Sequence, residues 1–414
     1  MSMHEPRGND LLEGIIAVRS GAVERFDTLA TVTLAPEDAL FARTAGEYAT
    51  VVTLTEIDGP QPSRRVPCQL AEGGRLTWLV AGHMPAGSVR RYRCVIEQVR
   101  GGRAEPAMGS VAIRLAGDHV WFTRDGALLA RYAYLGTWKP YFWPIMVPAG
   151  NVVRGASGEH QHQTGLFLAY GGHGGEGTTN IWSDWDEPPY GPCGKMVHLA
   201  FELVEGGPVY GRLVQRVLYT RADGPELLLE TRDVRVTPLP NGDLIFDIER
   251  RVEAPQEPQP GPFILAARVA DSLRLVDLRR RDARGYAQPL ERPGALAAAV
   301  EPVLQRPENA TYRTAGPWLD WYGPVGDGIA GIAFFDHPAN PGFGQGITAA
   351  GYGCMTLSHP FPAGAASAIY RYRVLAHTGD ATQARSAERY RDYVEPVETE
   401  LEVLRRPPSR GQPH

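Results

Sequence analysis

Short runs of β-branched and aromatic residues, separated by turn residues, recur along most of the chain. Within the first 110 residues such runs occupy positions 30–34, 51–55 and 92–96. Runs of about five residues that are rich in Val, Thr, Tyr and Ile and bounded by Asp, Gly and Pro are typical of β-strands. The pattern therefore predicts an N-terminal extension over residues 1–25 and a small β-sandwich over residues 26–110.

A longer series of strand-like runs covers residues 111–400. Asp125-Gly126 and Asn241-Gly242 each separate two apolar runs, and these dipeptides are strong signals for the two-residue turn of a β-hairpin. Strands this numerous and regularly spaced are typical of a large antiparallel β-sandwich. We therefore predict a fold dominated by β-structure, in which the larger sandwich carries the functional site.

Two stretches are predicted to be helical. Asp380 stands three residues before Gln383, as in a capping box, and apolar positions then repeat with helical spacing over residues 384–394. A shorter helix is predicted over residues 295–304, inside a stretch rich in Arg, Pro, Ala and Glu. The proline-rich end of the chain, residues 401–414, is predicted to be a flexible tail.

Composition narrows the class of protein and its partners. A hydrophobic share of 43% and a charged share of 21% are those of a globular protein. A net charge of −5 offers no basic surface for a polyanion, so no nucleic-acid partner is expected. Because no apolar run approaches the roughly 20 residues of a membrane span, no membrane partner is expected either.

The cysteines and the start of the chain indicate the compartment. The four cysteines, Cys68, Cys94, Cys193 and Cys354, lie far apart, without the spacing of a metal site or a disulfide framework. The first 14 residues include three acidic residues and no long apolar run, unlike a signal peptide. We therefore expect a cytoplasmic protein with reduced thiols, and the sequence leaves a homo-oligomer open.

The densest concentration of polar and aromatic residues lies between positions 138 and 198. Its centre is the segment Gly-Glu-His-Gln-His-Gln at 158–163, which contains His160 and His162. Two residues that are two positions apart in an extended segment point to the same side, so both imidazoles can contact one ligand. General acid/base catalysis and the binding of a divalent metal ion are the two alternatives. For the metal, His198 and His173 are candidates for a third ligand, and Glu159 is available as a carboxylate ligand or base.

Aromatic and charged residues around the histidines complete the candidate site. Tryptophan and tyrosine rings suit the apolar faces of sugar rings, and carboxylates and basic groups suit their oxygens. The candidate catalytic residues are His160, His162, Glu230 and Asp184; the candidate substrate-binding residues are Lys139, Tyr141, Trp143, Trp182, Trp185, Arg268, His337 and Asn340; the candidate metal ligands are His160, His162 and His198. For Glu230, close to Arg232, the structural alternative is a cross-strand ion pair on a solvated sheet face, and for His337 and Asn340 it is an ordinary polar turn.

These residues predict an enzyme that acts on a small-molecule carbohydrate or an oxidised sugar derivative by acid/base proton transfer, as in epimerisation, mutarotation or elimination. The alternatives are a non-catalytic carbohydrate-binding or scaffold protein and a metal-dependent hydrolase or oxygenase. A nucleotide cofactor is not expected, because the chain contains neither a dinucleotide-binding Gly-x-Gly-x-x-Gly loop after a strand nor a phosphate-binding P-loop.

Six segments also match the motifs of a known family in the same order. They are KPYFWP at 139–144, EHQHQTGL at 159–166, GKMVH at 194–198, LETR at 229–232, ARVAD at 267–271 and FDHPANP at 335–341. In this respect the chain resembles a soluble bacterial family often labelled methane oxygenase PmoA. The central motif of that family resembles Asp-His-Pro-His-His-Arg-Gly-Leu, from which this chain departs with Glu159, Gln163 and Thr164.

The resemblance implies a large antiparallel sandwich similar to the galactose-mutarotase supersandwich. It also implies proteins that occur alongside sugar-metabolising genes, including those of dehydrogenases that oxidise sugar rings. The label itself names a particulate methane monooxygenase subunit, which needs membrane spans, and no stretch of this chain is long and apolar enough to form one.

Overall fold

The chain folds into two compact units built almost entirely of strands. One unit comprises residues 1–110, 207–209 and 395–414, and the other comprises residues 111–206 and 210–394. The computed structural model describes residues 11–34, 48–58, 63–100, 109–156, 160–171, 180–184, 193–222, 224, 226–254, 261–284, 287–298, 311–314 and 316–405.

The elements of each unit follow one another closely along the chain. The first unit contains β1 (Leu11–Arg19), β2 (Arg25–Thr33), β3 (Tyr48–Glu56), β4 (Arg65–Val66), β5 (Cys68–Ala71), a 3-10 helix (Glu72–Gly74), β6 (Arg75–Met84) and β7 (Val89–Arg100). The second unit contains β8 (Val111–Ala116), β9 (His119–Arg124), β10 (Ala127–Ala133), β11 (Tyr141–Val147), β12 (Gly150–Asn151), β13 (Leu166–Tyr170), β14 (Lys195–Glu205), β15 (Gly211–Thr220), β16 (Glu226–Pro238), β17 (Leu244–Glu253), β18 (Phe263–Arg268), a 3-10 helix (Asp271–Leu273), β19 (Val276–Arg281), β20 (Ala287–Pro289), β21 (Ala295–Ala298), β22 (Thr311–Thr314), β23 (Trp318–Val325), β24 (Gly328–Asp336), β25 (Ile347–Ala350), β26 (Cys354–His359), β27 (Ser367–Thr378) and helix α1 (Ser386–Val394). Strand β28 (Glu398–Arg405) belongs to the first unit again.

The first unit is a small sandwich, as the strand pattern predicted. A five-stranded sheet, in the order β28-β1-β7-β3-β4, and a three-stranded sheet, β2-β6-β5, share one apolar core. Its boundaries differ from the prediction, because β1 lies within the predicted N-terminal extension and β28 begins at Glu398 and runs into the predicted tail. β28 pairs with β1, so the backbone groups on that side of β1 have hydrogen-bond partners that a flexible tail would not supply.

The second unit is a large antiparallel sandwich, which confirms the predicted fold class. One sheet has ten strands, in the order β22-β25-β26-β18-β13-β11-β10-β9-β8 with β12 paired to β11. The other has eight strands, in the order β14-β15-β16-β17-β27-β24-β23-β21. The inner faces of both sheets contribute to one core, for example through Phe122 and Leu168 on the first sheet and Val217 and Phe246 on the second.

Local turn and cap signals are confirmed in the second unit, with one shift of a boundary. Asp125 and Gly126 both have positive φ, of 49° and 81°, and join β9 to β10 as a two-residue hairpin turn. Asp380 Oδ1 accepts hydrogen bonds from the main-chain N–H groups of Thr382 and Gln383, and Gln383 Oε1 accepts one from Asp380 N at 2.9 Å. The helix nevertheless begins only at Ser386, because Arg385 before it has φ +56°.

The prediction of a helix over residues 295–304 is wrong for residues 295–298, the part of that stretch that the structure describes. Residues Ala295–Ala298 form β21, which pairs with β23 at the edge of the eight-stranded sheet. Pairing to an existing sheet edge here outweighs the helix propensity of alanine, which is a weak preference. Residues 299–310 lie outside the described part of the chain.

The outer face of the ten-stranded sheet carries a second, smaller apolar cluster. Alternation along β13 sends Leu166 and Leu168 into the main core, whereas Phe167 and Ala169 point to the opposite face. On that outer face the cluster is formed by Phe167, Ala169, Trp182, Ile264, Ala266 and Cys354, with Tyr141, Ala350 and Tyr352 packed against it.

In the ranges described above, no helix is long and apolar enough to cross a membrane.

Candidate functional site

The histidine segment is held against the outer side of the ten-stranded sheet by a tight turn before β13. Gly165 has φ +62°, and a Cβ atom on it would lie only 1.9 Å from the main-chain oxygen of Phe142. Its N–H donates to Arg154 O, and its own oxygen accepts from Arg268 N, both at 2.8 Å. The segment preceding β13 is therefore fixed between β11 and β18, and only glycine fits the turn.

His160 and His162 are neighbours, although the segment that carries them is a turn rather than the extended stretch assumed from the sequence. Gln163 N donates to His160 O at 2.9 Å, and His160 has φ +57°. The centroids of the two imidazole rings are 5.8 Å apart. His162 is buried, whereas His160 is partly exposed.

An open cavity lies beside His162 and collects several of the predicted residues. Its free volume is about 40 Å³. It is lined by Thr137, Trp138, Lys139, Tyr141, Gln161, His162, Thr164, Phe167 and Asp184. The structure thus brings together four candidates chosen from the sequence, namely Lys139, Tyr141, His162 and Asp184.

Lys139 is a buried side chain whose ammonium group has few polar contacts in the described structure. Its Nζ donates to the main-chain oxygen of Trp182 at 2.7 Å and lies 5.1 Å from the ring centre of Phe167. Burial lowers the pKa of the Lys139 ammonium group to about 8, although the negative charge of Asp184 opposes this. A substantial neutral fraction of this amine is therefore present just above neutral pH.

The aromatic side chains play different parts around the cavity. Trp182 is buried and contacts the rings of Phe167 and His162, at centroid distances of 5.5 and 6.2 Å. Its indole ring therefore helps to fix the position of His162. Trp138 lies in the cavity wall and has the ammonium group of Lys195 over its ring at 4.2 Å. Within the described structure, neither Trp138 Nε1 nor Thr137 Oγ1 has a hydrogen-bond partner, so both can donate to a ligand.

A polar cluster built around Arg268 adjoins the histidines. Arg268 Nη1 donates to Gln163 Oε1 at 3.0 Å, and Gln163 Nε2 donates to the hydroxyl of Tyr352 at 3.3 Å. The ring of Tyr352 stacks on His160, with centroids 4.7 Å apart, and the guanidinium carbon of Arg268 lies 4.7 Å from the same ring. Burial lowers the pKa of Arg268.

Glu230 does not belong to this site. It lies on the inner face of β16, fully buried, where it accepts hydrogen bonds from Arg232 Nε at 2.8 Å, Arg250 Nη2 at 3.1 Å and the hydroxyl of Tyr219. Burial raises the pKa of Glu230, but the charges of Arg232 and Arg250 outweigh it and hold the pKa at about 2. A carboxylate that stays ionised between the sheets cannot serve as the acid of a site on the outer face. The ion pair of the structural alternative does form, but on the buried inner face rather than on a solvated one.

The predicted set of three histidine ligands does not form either. His198 lies on β14 in the eight-stranded sheet, where its Nδ1 is 2.8 Å from Gln215 Nε2 and its ring packs against Tyr134 and Phe201. Among the residues that the structure describes, no three His, Cys, Asp or Glu side chains are grouped closely enough to hold a metal ion. The donor set that the metal hypothesis required is therefore missing from this part of the chain.

The turn after β24 is structural. Asn340 Nδ2 donates to Asp336 Oδ1 at 2.8 Å and to Arg371 O at 2.7 Å, and Asn340 Oδ1 accepts from Arg371 N at 2.7 Å. His337 accepts a hydrogen bond from Ala339 N through Nδ1 and packs against Tyr393. Both side chains are engaged in holding the turn to β27 and α1 and are not part of the cavity wall.

Trp143 is not in the cavity wall. Trp143 packs under the guanidinium of Arg131, 4.9 Å from its carbon, and against Gly155. Trp185 lies outside the described residues, as do Glu159 and His173. Sequence reasoning passed over Tyr352 and the contact of Gln163 with Arg268. The available signals were the glycines on both sides of Tyr352 and the glutamine at a position where the resembled family has histidine.

Comparisons with known proteins give one family and two distant structural likenesses. The model of DUF6807, a family of unknown function, matches residues 119–391. No curated protein matches the chain. An alpha-mannosidase from Enterococcus faecalis V583 is similar at 10% identity with a TM-score of 0.38, over 95% of this chain and 46% of that one. A protein of glycosyl hydrolase family 38 from Enterococcus faecalis is similar at 10% identity with a TM-score of 0.35, over 95% and 47%. The chain thus spans about half the length of these two structures.

Proposed function

The chain belongs to DUF6807, a family of unknown function, and we propose that it is an enzyme that acts on a carbohydrate or an oxidised sugar derivative by acid/base proton transfer. In this proposal Lys139 is the general base and His162 is the acid that works with it. Trp138 and Tyr141 contact the sugar, and Asp184 accepts a hydrogen bond from one of its hydroxyl groups.

One observation carries the proposal: Lys139 and His162 line the same cavity, and the lysine has a pKa of about 8. A general base works best when its pKa lies near the working pH, and buried lysines are one way in which enzymes reach that range. Burying an ammonium group without a carboxylate partner costs stability. A perturbed group of this kind in an open cavity is a candidate functional group.

The cavity wall suits a ligand that is rich in hydroxyl groups. Thr137 Oγ1 and Trp138 Nε1 are donors without partners in the described structure, and they lie beside the ring of Tyr141. Aromatic rings next to a few convergent polar groups are typical of sugar-binding sites. The free volume of about 40 Å³ has room for only a few water-sized groups. We therefore expect only the reacting end of the substrate to enter it.

The reaction follows from these two groups. The neutral amine of Lys139 takes a proton from a carbon next to a carbonyl group, and the electron pair of that C–H bond moves into the carbonyl as an enolate forms. Protonated His162 then gives its proton to the opposite face of the carbon, which yields the epimer. When the enolate instead expels a neighbouring oxygen substituent, His162 protonates that leaving group and the reaction is an elimination.

Deuterium uptake tests this proposal without knowledge of the product. Aldoses, ketoses, ketosugars and sugar acids are incubated with the protein in D₂O, and proton NMR follows exchange at the carbon next to the carbonyl. We expect Lys139→Met and His162→Gln each to slow exchange by roughly 10²- to 10⁴-fold. His83→Gln, a substitution of an exposed histidine in the first unit, is the matched control and should exchange at the wild-type rate.

A non-catalytic carbohydrate-binding protein is the competing function. It would bind members of the same panel saturably in calorimetry, with no deuterium uptake and no new product. Trp138→Ala would then weaken binding, whereas Lys139→Met and His162→Gln would leave it largely intact. That combination of results would rule out the enzyme and establish the binder.

A further inference from the structure

Arg268 is a buried guanidinium whose hydrogen-bonding capacity is only partly used. It has no exposed surface, and its Nη1 donates to Gln163 Oε1 at 3.0 Å. Its Nε and Nη2 atoms have no hydrogen-bond partner in the described structure. The N–H of Nε and one N–H of Nη2 point to the same side of the planar group, so one complete two-donor edge is available.

The surroundings of Arg268 add positive charge. Arg154 and Arg274 are both buried nearby, and the Nε atoms of both approach the same carboxylate oxygen, Asp271 Oδ1, at 3.4 and 3.5 Å. Asp271 itself is 54% exposed. No carboxylate within the described ranges forms an ion pair with Arg268, and burial, together with the charges of Arg154 and Arg274, lowers the pKa of Arg268.

Two other buried arginines have an ion-pair partner of the kind that Arg268 does not have in the described structure. The side chains of Arg232 and Arg250 are also buried. Both form ion pairs with the carboxylate of Glu230, with N···O distances of 2.8 and 3.1 Å. Buried charges in proteins are normally paired in this way, because an isolated one loses its hydration without replacement. Among the residues that the structure describes, Arg268 has no corresponding anion, and its free edge has the geometry that accepts one.

We infer that Arg268 binds a carboxylate of the ligand, and therefore that the substrate is a sugar acid such as a uronic or aldonic acid. This inference rests on the proposed function for the identity of the ligand as a sugar. A planar carboxylate matches the Nε–Nη2 edge with two parallel hydrogen bonds, which is the strongest arrangement an arginine offers to an oxyanion. Gln163 and Tyr352 connect this edge to the histidines, because each contacts Arg268 and lies next to His162 or His160.

A carboxylate at this position would also assist proton transfer. When the carbon next to it loses its proton to Lys139, the electron pair of the C–H bond spreads into the carboxylate, which gains a second negative charge. A guanidinium fixed beside it stabilises that charge more in the transition state than in the ground state. In an elimination the same electron pair forms the new C=C bond and expels the β-oxygen, which takes its proton from His162.

Access to the buried guanidinium requires the side chains around it to move. Tyr352 covers the face of Arg268 and is itself only partly buried. Side-chain rotations of this kind are common when a ligand binds. In this inference the ligand carboxylate reaches the free edge through a rearrangement of these side chains, while Gln163 continues to hold Nη1.

Calorimetry on matched pairs tests the inference. D-glucuronate and D-glucose, D-galacturonate and D-galactose, and D-gluconate and D-glucitol are titrated at constant ionic strength, with D-glucose 6-phosphate as a further arm. We expect at least one acid to bind roughly 10- to 100-fold more tightly than its neutral partner. Arg268→Met should abolish that preference, whereas Arg251→Met, which removes an exposed arginine on β17, should preserve it.

A second variant keeps the arginine and compensates its charge. Gln163→Glu places a carboxylate beside Arg268 within the protein, so it should weaken acid binding even if Arg268→Met folds poorly. Equal affinity for every acid and its neutral partner, or a preference that survives both variants, would overturn the inference. A preference for the sugar phosphate over all the carboxylates would replace a carboxylate site by a phosphate site.

The failure of this inference and that of the proposed function give different results. Acid binding that depends on Arg268, without deuterium uptake by any acid, leaves the carboxylate site and removes the enzyme. Deuterium uptake that depends on Lys139 but occurs only with neutral sugars leaves the enzyme and removes the carboxylate site.

Discussion

The ammonium group of Lys139 donates a hydrogen bond to the main-chain oxygen of Trp182 at 2.7 Å, and within the described structure it has no carboxylate in ion-pair contact. The same carbonyl belongs to the residue whose ring supports His162. One loop therefore positions both groups of the proposed acid/base pair, and it does so at the cost of burying a cation.

The burial of Lys139 predicts a pH dependence of stability. Folded protein loses the proton of Lys139 near pH 8, whereas the unfolded chain keeps it until about pH 10.5. Between these values the unfolded state binds more protons, so the free energy of unfolding of the wild type should rise relative to Lys139→Met as the pH increases. The full effect is about 3 kcal/mol. Urea denaturation of both proteins at pH 7.5, 9 and 10.5 measures it, and a constant difference would contradict the low pKa.

Glu230 should be a stability residue rather than a catalytic one. Glu230→Gln leaves Arg232 and Arg250 without their shared anion, so we expect a loss of about 3–5 kcal/mol in the free energy of unfolding. The pKa of Glu230 is about 2, so the stabilisation is present above pH 4.5 and is lost as the pH falls towards 2.

Denaturation curves of Glu230→Gln at pH 7 and pH 3 check both statements. Asp233→Asn is the control, because Asp233 is on the same strand and pairs with Arg212 but is partly exposed. It should cost about 1 kcal/mol or less. Equal losses of unfolding free energy in the two variants would show that burial does not strengthen the contribution of the Glu230 ion pairs to stability.

Arg268 and Arg250 are equally buried arginines that should respond in opposite ways to substitution by methionine. Arg250→Met leaves Glu230 with one partner fewer and should lower the free energy of unfolding by about 3 kcal/mol. Arg268→Met removes a charge that has no counter-ion in the described structure, so stability should stay the same or increase by about 1 kcal/mol. Thermal and urea denaturation without ligand compare them, and a large loss in Arg268→Met would mean that Arg268 has a structural role.

Gly165 should be intolerant of any side chain. A Cβ atom there meets Phe142 O at 1.9 Å, in addition to the strain of φ +62°. Gly136 has a similar φ of +67° but no atom within 4 Å of a Cβ, so it isolates the strain from the collision. We expect Gly136→Ala to cost about 1 kcal/mol and Gly165→Ala to cost at least 2–3 kcal/mol, roughly. Similar melting temperatures for the two variants would show that the turn before β13 can relax.

Several features of the fold could be predicted because their causes are local. The hairpin at Asp125-Gly126 depends on two neighbouring residues that tolerate positive φ, and the capping box at Asp380 and Gln383 depends on groups three positions apart. Strand alternation is also local, so it indicates correctly that Glu230 and Arg232 share one face of β16. It does not indicate whether that face meets solvent, a ligand or the other sheet.

The candidate site shows the same division. Lys139, His162 and Asp184 could be proposed together because they lie within 46 positions of the chain and belong to one cavity wall. Tyr352 could not, because its hydrogen bond with Gln163 joins residues 189 positions apart. His198, in turn, lies close to the histidine segment in sequence but is carried away on β14 into the eight-stranded sheet.

The sequence by itself determined the all-β class, the hairpins, the helix cap and the concentration of chemistry between positions 138 and 198, since each follows from residue types at short spacing. Only the tertiary structure decided that the outer face of the ten-stranded sheet carries the cavity, that Glu230 is enclosed with two arginines, and that Arg268 is buried with no anion among the described residues. The physical reason is that burial and electrostatic pairing depend on which sheets pack together, and that choice is made by the apolar core as a whole.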